Sequence, residues 1–389
     1  MREKSPFPVV GIGADGWSGL SEEARTIVLS ADVVIGGARQ LAYLPPEVEA
    51  DAVEWPARLL SKLDGFLAEY FDRRICVLAS GDPLLSGIGT TLIERGYDIQ
   101  VLPTLSSVTL ARARLGWSAE QTEVVSVVGR DIERVGLALA PGRKVLVLGA
   151  KATALRKLLK SRKFAKSTLR ALENLGGPDE RISDGWEHDP GPLTVFAIDC
   201  VGTPGKILPL IGLPDDAYEH DGQITKRDLR VSALARLAPS PGELLWDVGA
   251  GAGSIAIEWS RMHPLNRAIA IEGVSSRADR IERNAYKLGV PGLRVVCGLI
   301  PEALVPLPTP DAIFIGGALT TPDLITGCVE NASRIVAHAV TLQGEWVLAD
   351  AHRRYGGELT RISVQRIEPL GHYDGWKPSR TVTQWCKIK

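Results

Sequence analysis

The chain has little with which to hold a metal, cross a membrane or grip a nucleic acid. Its five cysteines, Cys76, Cys200, Cys297, Cys328 and Cys386, form no CxxC pair, and most sit in apolar runs. That spacing argues for buried thiols in a reducing compartment rather than a disulfide frame or zinc site. The six histidines are scattered, with no HxH or HExxH, so no metal is expected. No run of about 20 apolar residues occurs, which argues against a helical membrane span. The start, MREKSPFPVVGIGADG, passes directly into a strand and a glycine turn, so no signal peptide is expected and the cytoplasm is the default. Charge is nearly balanced, with 45 basic and 46 acidic side chains and a formal net charge of −1. No Lys/Arg tract of five or more occurs, so the basic footprint of a nucleic-acid partner is missing.

What is there is an α/β pattern from end to end. The 389 residues suit two domains, because single cores stop growing at roughly 250–300 residues. Strands are expected at 8–12, 32–35, 75–79, 98–102, 123–127, 144–148 and 193–198, with helices such as 20–30 and 57–71 between them. The segment 201–221 is dense in glycine and proline and reads as a linker. The boundary is expected near Gly212, giving domains 1–212 and 213–389. The rhythm then restarts, with strands at 244–248, 267–271, 294–297, 311–315 and 335–342 and helices at 254–262, 277–288 and 345–353. Two closing strands, 361–366 and 381–387, with no clear helix between them, suggest an antiparallel pair at a sheet edge.

The sharpest motif is LLWDVGAGAG at 244–253, followed by SIAIEW. A strand runs into Gly249, Gly251 and Gly253, where a backbone can approach a ligand beside the free N–H groups of a helix start. Glu272 lies 19 residues after Gly253 at the next strand end, placed to take ribose hydroxyls. A solvated acid at a helix entry is the less favoured alternative. The spacing is GxGxG rather than the GxGxxG of dinucleotide sites, and Asp247 at the strand tip suits an ammonium better than a diphosphate. S-adenosylmethionine is therefore favoured over NAD. The tip of the fourth strand carries Gly316 and Gly317 instead of a base-stacking clamp. Those glycines offer either an open floor for a planar substrate or a tight turn.

At this point a resemblance becomes specific. ITKRDLR at 224–230, the glycine loop, the Asn284 helix, VCGLIPEAL at 296–304 and FIGG at 314–317 together resemble the decarboxylating precorrin C15-methyltransferase family. The resemblance implies a Rossmann-like class I methyltransferase fold. It implies that Thr225, Gly249, Ala250, Gly251, Ala252, Gly253, Glu272, Gly298 and Leu299 line the cofactor. A polycarboxylate substrate needs basic residues at the site mouth, and Lys226, Arg227 and Arg230 are candidates beside Gly316 and Gly317. Arg227 and Arg230 share a helix face, which could also be a solvated face.

In the first half, VVGIGADG at 9–16, ADVVIGG at 31–37, SGDP at 80–83 and PTLSS at 103–107 resemble the two-lobed tetrapyrrole methylase fold. LENLGGPDER at 172–181 is similar to its C5-methylating branch. The resemblance implies a cofactor between two α/β lobes, with Gly81, Asp82, Pro83 and Ser107 as candidates. Ser106 and Ser107 also read as simple helix caps.

Together the two resemblances imply one fused enzyme of cobalamin biosynthesis. It would methylate precorrin-6Y at C5 and C15 with S-adenosylmethionine and remove carbon dioxide from the C12 acetate. They further imply a small tetrapyrrole as substrate and a homo-oligomer formed through the second domain. No residue stands out as the decarboxylation catalyst. A nucleic-acid methyltransferase would need a basic surface and a stacking motif, and a cofactor sensor would need no wide cleft.

Overall fold

Apolar, β-branched runs bounded by glycine or proline form the inner strands of three sheets. The computed structural model describes residues 6–202 and 211–388. The chain divides into two units, Met1–Pro204 and Gly205–Lys389.

In the first unit, β1 (Phe7–Ile12), β2 (Val33–Gly36), β3 (Asp51–Glu54), β4 (Ile75–Ser80) and β5 (Ile99–Leu102) form a parallel sheet ordered β3-β2-β4-β1-β5. A second sheet holds β6 (Thr122–Ser126), β7 (Lys144–Leu148), β8 (Thr168–Glu173), β9 (Arg181–Asp184) and β10 (Thr194–Asp199), ordered β6-β7-β10-β8-β9. Only β6 and β7 pair in parallel there. The strands β3, β8 and β9 were not expected. The strands β3 and β9 are short, largely exposed edges without an apolar face. The sequence of β8, TLRALE, is written mostly in helix formers.

The second unit runs β11 (Leu244–Val248), β12 (Arg267–Glu272), β13 (Arg294–Cys297), β14 (Ala312–Ile315), β15 (Arg334–Ala339), β16 (Glu358–Ile362), β17 (Gln365–Leu370), β18 (Tyr373–Pro378) and β19 (Val382–Ile388). Its main sheet is ordered β13-β12-β11-β14-β15-β19-β16. The first five strands are parallel, and β19 lies antiparallel between β15 and β16. The order reverses between β11 and β14, so their carboxyl ends flank a crevice. The run expected as one strand at 361–366 is two. The strand β16 stays in the sheet, while β17 leaves it to pair with β18 as an exposed hairpin.

The units divide at Pro204–Gly205, eight residues before the expected boundary at Gly212. The middle of the expected linker, 203–210, lies outside the described residues. Gly212 itself is tied to the second unit. Its N–H donates to Glu258 at 2.6 Å, and that of Leu213 donates at 2.9 Å.

Glu258 is fully buried on the helix Ser254–Met262, and so is Arg230 on the helix Arg227–Leu237. Arg230 Nε meets Glu258 Oε1 at 2.6 Å, and the Tyr218 hydroxyl adds a bond at 3.1 Å. Arg230 also donates to the carbonyls of Leu213 and Thr225 and to Asp215 at 3.3 Å. Every charge in this cluster has partners, which is what makes burial tolerable. Arg230→Met is expected to destabilise the second unit by about 3–5 kcal/mol, because it strands the Glu258 charge. Arg230→Met with Glu258→Gln should recover part of that loss, because the neutral amide still accepts from buried donors such as the Leu213 N–H. Urea unfolding of both proteins checks the pair, and equal destabilisation of single and double variants would contradict it.

Candidate active sites

All strands of the first sheet run the same way, so β1, β2, β4 and β5 end at one edge. The turn after β4 crosses directly over β1. A Cβ on Gly11 would lie 1.9 Å from the Gly81 carbonyl oxygen, so only glycine fits. Gly81 itself adopts φ +58° and donates to the Ile12 carbonyl at 3.0 Å. Asp82 Oδ1 accepts the Leu84 N–H at 2.9 Å and fixes the turn. These ends open on a cavity of about 470 Å³. Gly13, Gly81, Asp82 and Ser107 form one wall, and Leu148, Leu172 and Asn174 of the second lobe form another.

Of the four residues expected here, Pro83 is absent from the walls. It is buried, its carbonyl accepts the Gly89 N–H at 3.1 Å, and a Cβ on Gly87 would lie 2.5 Å from that oxygen. Its part is to shape the turn by packing under it. Ser106 caps the helix Ser107–Leu115 through Thr109 N–H at 3.1 Å, and both Ser106 and Ser107 line the cavity. Arg39 and Gln40 also line it, and sequence reading passed over both. So does Asn174, whose φ of +48° is a signal only the backbone reveals.

In the second unit β11 runs into a loop where Gly249, Gly251 and Gly253 have φ of +71°, +60° and +75°. The loop is pressed from two sides. A Cβ on Gly249 would lie 2.7 Å from Gly317 Cα, and one on Gly251 would lie 2.7 Å from the Gln223 carbonyl oxygen. The buried Ala252 gives its carbonyl to Asn284 Nδ2 at 3.1 Å. Asn284 also holds Glu219 by both its N–H (2.8 Å) and its carbonyl (3.0 Å). The segment 219–225 is thereby anchored over the loop, with Asp221 paired to Arg277 at 2.9 Å and Arg280 at 3.2 Å.

Glu272 ends β12, and its two oxygens accept the N–H groups of Gly251 (2.8 Å) and Val274 (3.1 Å). It is thus both a helix-entry acid and a carboxylate against the glycine loop. Gly298 donates to the Glu272 carbonyl at 3.1 Å, and the 75% exposed Leu299 follows it. Gly316 and Gly317 donate to the Val248 carbonyl at 2.9 and 3.4 Å, so they make a tight turn, and Gly316 is exposed as well. Asp247 is buried. Its Oδ2 accepts the Ala256 N–H at 3.0 Å, while Oδ1 has no partner among the described residues. Burial, reinforced by the Glu272 charge and opposed by the Ala256 bond, pushes its carboxyl up to about 7.

The three basic candidates separate. Lys226 is partly exposed, 3.8 Å from Asp215, and Arg227 is exposed. Arg230 has no exposed surface and all its donors point into the Glu258 cluster, so it cannot reach a substrate. Thr225 is half-buried, with its carbonyl taken by Arg230. A carboxylate beside a glycine loop, with a partnerless buried carboxylate oxygen below, suits a ligand that carries hydroxyls and positive charge. Among the described residues no cluster of His, Cys, Asp or Glu could hold a metal, and no helix is long and apolar enough to cross a membrane.

Residues 6–186 match the family described as tetrapyrrole (corrin/porphyrin) methylases, and residues 216–389 match the precorrin methyltransferase domain. The chain is 46% identical to precorrin-6Y C(5,15)-methyltransferase [decarboxylating] of Sinorhizobium sp, over 98% of this chain and 96% of that one. It is 43% identical to the protein so described from Mycobacterium tuberculosis CDC 1551, over 98% and 99% of the two chains. The solved C-terminal domain of precorrin-6Y C5,15-methyltransferase from Rhodobacter capsulatus is 44% identical, covering 46% of this chain and 100% of that one, with a TM-score of 0.44.

Asp247 binds its proton more tightly folded than unfolded, since its carboxyl rises from 3.8 to about 7. Its favourable contribution is therefore complete below about pH 4 and is lost as pH rises through about 7. Asp247→Asn, which cannot ionise, should remove that decline. Urea unfolding of wild type and variant between pH 4 and 8 should show the stability gap moving in favour of the variant as pH rises. A gap independent of pH would mean Asp247 titrates as an ordinary acid.

Proposed function

Because the chain belongs to the decarboxylating precorrin-6Y C5,15-methyltransferases, we propose that each of its two units carries one of the two methyl transfers. The chain is a methyltransferase of cobalamin biosynthesis that methylates precorrin-6Y and decarboxylates it. The first unit acts at C5; the second acts at C15 and releases carbon dioxide. The observation that carries this division is the pair of separate strand-end sites, one within each family match.

S-adenosylmethionine supplies an already activated methyl group at each site. In the second unit Glu272, the 249–253 loop, Thr225, Gly298 and Leu299 would hold it. In the first unit Gly81, Asp82 and Ser107 would do so. Neither transfer asks for much acid–base machinery. What the protein contributes is placement of a ring carbon in line with the methyl group, an orientation effect. Lys226 and Arg227 would meet acid side chains of the tetrapyrrole beside Gly316 and Gly317. We place the chain in the cytoplasm, where its five free cysteines stay reduced. The second unit would self-associate through the β17–β18 hairpin. There Ile367 and Trp376 sit opposite one another, 58% and 67% exposed.

Two cofactors per chain are expected, with sites that can be disabled one at a time. Gly251→Arg puts a side chain against the Gln223 carbonyl. That variant should bind one cofactor, add one methyl group and release no carbon dioxide. Calorimetric stoichiometry and product mass spectrometry check it; a single site in wild type, or full-rate decarboxylation by the variant, refutes the division. Glu272→Ala should weaken the second site about 10- to 150-fold through loss of a charge-assisted bond. Unchanged calorimetric affinity there would leave Glu272 a helix-entry acid only.

A further inference from the structure

We propose that Arg39, Gln40 and Ser80 form a carboxylate-binding subsite in the first unit, an inference that rests on reading its cavity as the C5 methyl-transfer site. The strand β2 ends at Gly36, and the short helix Ala38–Leu41 follows at once, which carries Arg39 and Gln40 over the end of β4. Both donate to one oxygen there. Arg39 Nη2 lies 2.7 Å and Gln40 Nε2 2.6 Å from Ser80 Oγ. A hydroxyl has two acceptor lone pairs and one proton. With both lone pairs occupied, Ser80 has its proton left to give, and no acceptor among the described residues takes it. Arg39 Nε is also buried, with no partner among the described residues. The cavity wall thus presents the Ser80 hydroxyl proton beside the Arg39 guanidinium, whose Nε lies buried behind it.

No carboxylate among the described residues answers them. Several arginines of this unit have carboxylate partners, as Arg162 has Glu133 at 2.6 Å and Arg181 has Glu173 at 2.8 Å. Arg39 is half-buried yet enters no ion pair among the described residues, and burial lowers its pKa. Among the described residues lining the cavity, Arg39 is the single cation and Asp82 the single carboxylate. A guanidinium with a free edge beside a donating hydroxyl is a fork for a carboxylate. That carboxylate can come from an acid side chain of the tetrapyrrole or from the methionine end of the cofactor.

The test uses the full chain with Arg39→Met, Arg39→Lys and Ser80→Ala. It follows C5 methylation of precorrin-6Y, S-adenosylhomocysteine binding, melting temperature and, as internal reference, carbon dioxide release by the second unit. For a substrate carboxylate, Arg39→Met should raise KM about 10- to 100-fold and leave S-adenosylhomocysteine affinity unchanged. For a cofactor carboxylate, S-adenosylhomocysteine should bind about 10- to 100-fold more weakly. The analogue lacking that carboxylate should then bind wild type and variant alike. In both cases lysine rescues part of the loss, and Ser80→Ala gives a smaller loss in the same parameter. Unchanged KM and unchanged affinity in Arg39→Met overturn the subsite. So does a loss that tracks a lower melting temperature and that lysine does not relieve. A wild type that binds one S-adenosylhomocysteine per chain refutes instead the reading of this cavity as a cofactor site.

Discussion

The buried ion pair between Arg230 and Glu258 is the interaction on which the second site depends. Neither side chain has exposed surface, and a lone carboxylate in that position would be intolerable. Glu258 is satisfied by two backbone N–H groups, a phenol and a guanidinium. Those donors belong to Gly212, Leu213, Tyr218 and Arg230, so satisfying the charge fastens the start of the unit to the helix that follows the glycine loop. The Tyr218 ring also lies 5.0 Å from the Arg230 guanidinium carbon. Burial raises the Tyr218 pKa well above its ordinary value, which keeps its hydroxyl a donor. From that anchor the chain continues over the loop, where Asn284 and the Asp221–Arg277 pair hold it down. The roof of the site is thus a consequence of electrostatics below it.

Two unrelated sheets solve the same problem in the same way. In each, a strand ends where another stretch of main chain passes so closely that a side chain cannot be accommodated: Gly11 against Gly81, and Gly249 against Gly317. The electrostatic furnishing differs. The second site is acidic, with Glu272 satisfied by amides and Asp247 half-satisfied. The first pairs a turn-forming Asp82 with an Arg39 that has surplus donors. One set of contacts suits a ligand with hydroxyls and positive charge, and the other adds a place for negative charge.

Much of this was legible before any coordinates. The strands β7, β11 and β13 and the helix after the glycine loop begin and end where the sequence puts them; β7 and β11 do so because buried strands are continuous apolar runs. Exposed strands such as β3, β9 and the β17–β18 hairpin carry no such run, and they were missed or misplaced. The glycines were legible because positive φ selects them. The arginines were not. Arg227 and Arg230 are one helical turn apart and look alike in sequence, yet one is solvated and the other is the keystone of a buried cluster. Arg39 is equally mute until the fold carries it 41 positions along the chain to Ser80. Pro83 shows the converse, a motif residue whose duty is shape rather than contact.

The contact between Gly249 and Gly317 carries a consequence for how the enzyme can change over time. When two side chains collide, trimming one makes room for the other, and lineages drift through such compensations. Here the obstacle to any side chain at position 249 is the neighbour's own backbone, its Cα at 2.7 Å and its nitrogen at 2.8 Å. Residue 317 is already the smallest amino acid, so it has nothing left to surrender. No suppressor at that position can rescue a substitution at 249, and the glycine loop is locked against gradual remodelling. New specificity has to come from the walls, because the floor of the site leaves evolution no smaller step to take.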